Sequence, residues 1–244
     1  MQVRLDKALV DRGLAGTRSR AQLMIRSGAI LINERSVEKP SHLIQTEDVV
    51  RILWEVNPWV SRGGLKLEYA IGAFNLAPLK GTALDIGAST GGFTEVLLAY
   101  GCSKVYAIDV GKDQLNLKLK DDPRVINIEG VNAKNLNTIN LPFVDLIVCD
   151  VSFISISKAL KVPLIYAKNN CQLIALIKPQ FEVGPGKVGK RGIVSDSKDQ
   201  QDACVSIQSF LLHEGWSVSS LKKSPILGSD GNLEFLISAN KIAT

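Results

Sequence analysis

Histidine is scarce in this chain: His42 and His213 are the two in 244 residues. A Ser-His-Asp triad or a histidine-based metal site would have to use one of them. Neither has a suitable neighbourhood, and both read as surface residues. Paired cysteines are missing as well. Cys102, Cys149, Cys171 and Cys204 are scattered with no C-x-x-C, and Cys149 and Cys171 fall in apolar runs where cysteine packs as a small hydrophobe. This argues against zinc and for a reducing compartment, so no metal is expected. Long apolar runs are also absent, none approaching the roughly 18 residues of a spanning helix. The opening MQVRLDKALVDRG is charged from Arg4 onward and lacks the apolar segment of a secretion signal. The expectation is a cytoplasmic protein that does not enter the membrane.

What is present is ordinary globular composition, 45% hydrophobic and 22% charged, enough for a sizeable core in one or two domains. A net charge of +5 and a pI of about 9.0 favour an anionic partner, with nucleic acid first.

Residues 1–53 read as a small α/β domain. LDKALVDRG places Leu5, Ala8, Leu9 and Arg12 at i, i+3, i+4 and i+7 and stops at Gly13. TRSRAQLMIRSGA is a second helix, capped by Thr17 or Ser19 and stopped by Gly28, with Ala21, Met24 and Ile25 facing inward. AILIN and DVVRIL look like short strands. Asn-Pro and the Gly-Gly that follows mark a linker over 54–61.

From residue 62 to 244 the pattern changes. TALDI, KVYAID, RVINI, DLIVCD, QLIALIK, WSVSSL and LEFLIS are seven strand-like runs, with helices predicted at 64–75, 92–100, 112–120, 156–168 and 197–214. Near-continuous apolar strands alternating with helices imply an α/β fold with a Rossmann-like, doubly wound parallel sheet. The last two strands are joined only by the loop KKSPILGSDGN, so they form an antiparallel hairpin.

The stretch ALDIGASTGG follows a strand and opens a helix, where amides face the positive end of a dipole. A triphosphate loop needs G-x-x-x-x-G-K-[ST], but here Phe93 and Thr94 follow Gly92. A dinucleotide loop needs a middle glycine, and that position is Ser89. What remains is a loop for a small zwitterion, with Asp85 facing a cation. Asp109 ends the next strand, 22 residues after Gly87, where an acid holds ribose hydroxyls. An acid for an amine, amides for a carboxylate and an acid for a ribose together describe S-adenosylmethionine. The segment GPGKVGKR (184–191) imitates a phosphate loop, but Arg191 stands where Ser or Thr is required. Lys187, Lys190 and Arg191 instead suit a cationic lid, an RNA-backbone contact or a merely solvated loop.

Four charged residues sit where the pattern alone would not place them. Asp150 and Lys178 end apolar strands, Lys66 flanks the apolar stripe Leu67, Ile71 and Phe74, and Glu234 interrupts NLEFLIS. Taken alone, Lys66 and Glu234 read as solvated charges at element ends, and Asp150 and Lys178 less so. Together they can satisfy one another, and such a cluster suits drawing a proton from a weakly acidic hydroxyl.

These motifs carry a resemblance. LDKALVDRG and TRSRAQLMIRSGAILIN resemble the small RNA-binding module named after the fourth small-subunit ribosomal protein. WVSRGGLKLEYAI, ALDIGASTGGFTEVLL, DLIVCDVSFISI, LIKPQFEVG and SPILGSDGNLEFL resemble the TlyA, or hemolysin A, family of RNA 2'-O-methyltransferases, whose catalytic domain is similar to FtsJ. The resemblance implies a catalytic K-D-K-E set at Lys66, Asp150, Lys178 and Glu234. It implies S-adenosylmethionine held by Asp85, Gly87, Ser89, Gly91, Gly92, Phe93, Asp109, Asn132 and Asp150; EGVNAKNL fits the family's Arg-Thr-Asn pattern only at Asn132. The implied reaction is 2'-O-methylation of cytidine in ribosomal RNA, with ribosomal subunits as partners. Lys178 would act as base or as the cation stabilising an alkoxide. Arg4, Arg12, Arg18, Arg20, Arg26, Arg62, Lys187, Lys190 and Arg191 would grip RNA. The main alternative is a non-catalytic RNA-binding or ribosome assembly factor. A pore-forming hemolysin lacks a membrane-active segment here, and a nicotinamide oxidoreductase lacks its middle glycine.

Overall fold

The computed structural model describes residues 2–15, 17–26, 28–53 and 57–242. The predicted linker therefore lies partly outside the described residues, at 54–56. The chain divides into two compact units, Met1–Pro58 and Trp59–Thr244.

The first unit contains β1 (Val3–Arg4), α1 (Leu5–Asp11), α2 (Arg18–Arg26), β2 (Ile30–Ile32), β3 (Arg35–Ser36), β4 (Leu43–Ile44) and β5 (Val50–Ile52). Thr17 caps α2, its hydroxyl accepting from the Arg20 amide at 3.2 Å. Gly28 follows that helix at φ +76°, a left-handed geometry that costs glycine little. Leu5, Leu9, Ala21, Met24 and Ile25 of the two helices meet Ile30, Ile32 and Ile44 in one core. The strands pair in the orders β3-β2-β5 and β1-β4.

The second unit runs α3 (Gly63–Ala73), β6 (Thr82–Ile86), α4 (Gly92–Ala99), β7 (Lys104–Asp109), α5 (Leu117–Lys120), β8 (Val125–Glu129) and β9 (Val144–Cys149). It continues through α6 (Ile156–Leu160), β10 (Ala167–Ile177), α7 (Pro179–Glu182), α8 (Ser197–His213), β11 (Trp216–Lys223) and β12 (Phe235–Lys241). Its seven-stranded sheet has the order β11-β12-β10-β9-β6-β7-β8. β10, β9, β6, β7 and β8 are mutually parallel, and β12 lies antiparallel between β10 and β11. The α/β doubly wound sheet and its antiparallel last hairpin are as the pattern implied. Alternation along the strands divides the core. Leu84, Ile86, Ile147 and Cys149 face one layer, while Ala83, Leu146 and Val148 face the layer holding α3 and α4.

Two helix predictions require correction. The segment 112–120 is helical only at Leu117–Lys120. Ahead of it, the Glu129 carboxylate accepts from the amides of Asp113, Gln114 and Leu115, which holds that backbone as a loop. The segment 156–168 is helical only to Leu160; Pro163 opens a single tight turn, and Ala167 already begins β10.

Candidate active site

The chain order reverses between β6 and β9, both parallel and adjacent, and ligands bind open α/β sheets outside the strand ends at such a point. A cavity of ≈ 740 Å³ opens there, lined among others by Gly87, Ser89, Asp109, Asn132, Asp150 and Ser152. The β6–α4 loop reaches it by tight turns. Gly87 has φ +84°, and a side chain there would run into the Asp150 carbonyl. The amides of Gly87 and Ala88 both donate to the Ile108 carbonyl, at 2.9 and 3.0 Å. Asp109 is held by backbone, accepting from the Ser89 amide and from the Gly111 amide, each at 2.7 Å. Gly91, Gly92 and Phe93 stand behind the lining. A side chain on Gly91 would meet Leu115 and Leu119, and one on Gly92 would meet Ser61. Phe93 is in the core.

Asp85 is fully buried in the layer facing α4. Its Oδ2 accepts from the Thr94 hydroxyl at 2.6 Å, while its Oδ1 has no protein partner among the described residues. Burial pushes its carboxyl up to about 7, with the Thr94 hydrogen bond opposing and the Asp150 and Asp109 charges adding.

The four misplaced charges form two ion pairs at the same end of the sheet. Lys66, one turn into α3, donates to Glu234 Oε2 at 2.5 Å, both residues being nearly sealed from water. Lys178 Nζ lies 2.6 Å from Asp150 Oδ1 and donates to Ser152 Oγ at 2.9 Å. The contact with Asp150 is an ion pair out of hydrogen-bond alignment, since Asp150 Oδ1 accepts no bond. The two pairs are neighbours by register. Ile177 pairs with Phe235, which sets Lys178 beside Glu234 just beyond the paired ends of adjacent strands. Asp150 Oδ2 lies 3.7 Å from where a Cβ on Gly63 would stand, against the start of the helix carrying Lys66.

Three further residues belong to this wall and were not singled out from the sequence. Ser152 and Phe153 line the cavity, as does Phe181. Phe153 is 90% exposed at φ +63°, with its ring centroid 5.2 Å from that of Phe181. An apolar residue within DVSFISI gives no local sign that it will be left bare.

Comparison with known proteins decides the family. The FtsJ-like methyltransferase family model matches residues 59–241, and the S4 domain model matches residues 3–50. The chain is 38% identical over 238 residues to the 16S/23S rRNA (cytidine-2'-O)-methyltransferase TlyA of Mycobacterium tuberculosis, covering 97% of this chain and 89% of that protein. It is 40% identical over 238 residues to Hemolysin A of Brachyspira hyodysenteriae, covering 96% and 98%. The chain belongs to the TlyA family of FtsJ-like methyltransferases. A solved structure of a candidate hemolysin from Streptococcus thermophilus matches this TlyA-family chain with a TM-score of 0.74 at 36% identity, over 100% of this chain and 90% of that one.

S-adenosylmethionine is the cofactor of FtsJ-like methyltransferases, and the residues here fit it. Asp85 Oδ1 is an orphaned buried acceptor one residue from the lining, suited to an ammonium. Asp109 and Asn132 line the same cavity and present a carboxylate and an amide of the kind that suit ribose hydroxyls and a base. The Asn132 side chain also caps a turn, accepting from the Lys134 amide at 3.1 Å.

The basic residues of this TlyA-family chain divide by their partners. Arg4 and Arg18 both bond the buried carboxylate of Asp6, which Gln22 also reaches, at distances of 2.9–3.1 Å. Those bonds, Arg4's foremost, hold Asp6 well below the usual carboxylate range. Arg12 donates to the carbonyls of Gln45, Thr46 and Asp48 and so braces a loop. Arg20 is half-buried and Arg26 exposed. In the second unit Arg62 donates to the Leu227 carbonyl at 2.9 Å. Lys187 pairs with Asp199 at 2.6 Å, whereas Lys190 and Arg191 are exposed.

Proposed function

We propose that the chain methylates the ribose 2'-hydroxyl of a cytidine in ribosomal RNA, in the cytoplasm and on ribosomal subunits, using S-adenosylmethionine. The observation that carries this reading is the meeting of Lys66–Glu234 and Lys178–Asp150 at the end of the sheet where Asp150 lines the cavity. Four charges from four separate elements, three of them nearly buried, are costly to keep there unless chemistry uses them. Relatives named as rRNA (cytidine-2'-O)-methyltransferases support the same reaction.

Asp85, Ser89, Asp109 and Asn132 would hold the cofactor, with the backbone at Gly87 giving it room. Bound S-adenosylmethionine supplies a methyl group already activated by the sulfonium charge. The protein has to place the 2'-oxygen in line and remove its proton. Lys178, paired as an ammonium with Asp150 at rest, first releases a proton to solvent and then receives the hydroxyl proton on Nζ. Asp150 then stabilises the ammonium so formed. Lys66 sits beside it as a fixed positive charge for the oxygen that is losing its proton, and Glu234 holds Lys66 in place. Arg4, Arg18, Arg20 and Arg26 of the first unit and Lys190 and Arg191 of the second offer charge to the RNA backbone.

The test is transfer of labelled methyl from S-adenosylmethionine to ribosomal RNA by the purified chain, with ribose methylation mapped in cells with and without it. A new 2'-O-methylcytidine that depends on the chain is expected. RNA binding with no methyl incorporation would replace this reading with that of an assembly factor.

A further inference from the structure

Lys178 is held by two groups of different kinds. Attraction to Asp150 is central: it fixes where Nζ sits but not how the amine is turned about Cε–Nζ. The hydrogen bond to Ser152 Oγ, at 2.9 Å, is directional and fixes the turn. Ser152 is itself anchored, because the segment after β9 is fastened to the segment after β10 at several points. The Phe153 and Phe181 rings are in contact at 5.2 Å. The Glu182 carboxylate accepts from the Ser155 hydroxyl at 2.6 Å and from the Ile156 amide at 2.8 Å. Phe153 keeps φ +63°, a backbone geometry that a bulky residue holds only where the surroundings impose it.

We infer that Ser152 is a positioning residue for Lys178: its hydroxyl sets the rotation of the amine so that the remaining valence of Nζ faces the substrate hydroxyl. A neutral amine has two N–H groups and one lone pair. With one N–H fixed on Ser152, the rotation about Cε–Nζ is set, and of the two remaining positions the lone pair takes the one facing the 2'-hydroxyl proton. After transfer the ammonium carries three N–H groups, the third on the substrate oxygen. This inference rests on the proposed role of Lys178 as base.

The test compares Ser152→Ala and Ser152→Thr with the unaltered protein, measuring kcat, KM for ribosomal RNA and Kd for S-adenosylmethionine. Ser152→Ala is expected to lower kcat about ten- to a hundredfold, the scale of a misplaced catalytic group, with KM and Kd within about threefold. Ser152→Thr, which keeps the hydroxyl, should restore most of the rate. Three results overturn the inference: full kcat in Ser152→Ala, a loss explained entirely by weaker cofactor binding, or no rescue by threonine. Absence of methyl transfer by the unaltered protein would instead overturn the proposed function.

Discussion

Lys66 and Glu234, 168 residues apart in the chain, meet with Nζ 2.5 Å from Oε2 inside the protein. Removing one partner of such a buried pair strands the other charge and costs about 3–5 kcal/mol, whereas replacing both with apolar residues is often neutral. Lys66→Ala should therefore lower both melting temperature and activity. The double variant Lys66→Met with Glu234→Leu should regain much of the stability and none of the activity. Recovered methyl transfer in the double variant would make the pair purely structural.

Lys178→Ala should reduce methyl transfer by about 10²–10⁴-fold, the range of a lost general base. Isothermal titration should find its affinity for S-adenosylmethionine within a few-fold of the unaltered protein. Near-normal turnover would remove Lys178 from the reaction.

Asp109→Ala should weaken S-adenosylmethionine binding, since the carboxylate lining the cavity is already oriented by two amides. Unchanged affinity in titration calorimetry would contradict a ribose contact.

Asp85 makes a contribution to stability with a definite sign. Its folded carboxyl titrates at about 7, above an unfolded value of about 3.9. Between those values the folded state binds the extra proton, so this contribution declines as pH rises from about 4 to about 7 and is level beyond. Asp85→Asn should remove that decline. Melting curves of the two proteins at pH 5 and pH 7 would show it, and parallel pH dependences would refute it.

Asp6 behaves in the opposite way. Its folded value is depressed by Arg4, Gln22 and Arg18. It therefore stabilises above the unfolded value and loses that contribution as pH falls through the folded one. Asp6→Ala should release two guanidiniums from their shared anchor, weakening RNA binding at fixed salt and leaving cofactor affinity unchanged. Equal RNA affinity would leave Asp6 with a packing role only.

Much of the fold was legible because it is written in local pattern. The apolar runs of β6, β7 and β9 show as strands, and the Gly13 and Gly28 stops mark helix ends. The helix expected over 156–168 failed locally, at Pro163; the other failures trace to a partner distant in sequence. Glu129 unmakes the start of the helix expected at 112–120 by taking its amides. Asp6 carries no signal in the sequence, yet it organises Arg4 and Arg18. Phe153 reads as one more apolar residue and is left at the cavity mouth.

The sequence by itself determined the two-part organisation of strands and helices, the glycine turn after β6, and which lysines and acids were out of place, because periodicity and turn chemistry act over a few residues. Tertiary structure alone decided who pairs with whom. The register of β12 on β10 sets Lys178 beside Glu234, and the packing of α3 brings Lys66 to that carboxylate. Burial then makes those charges depend on one another, and no single stretch of the chain contains that dependence.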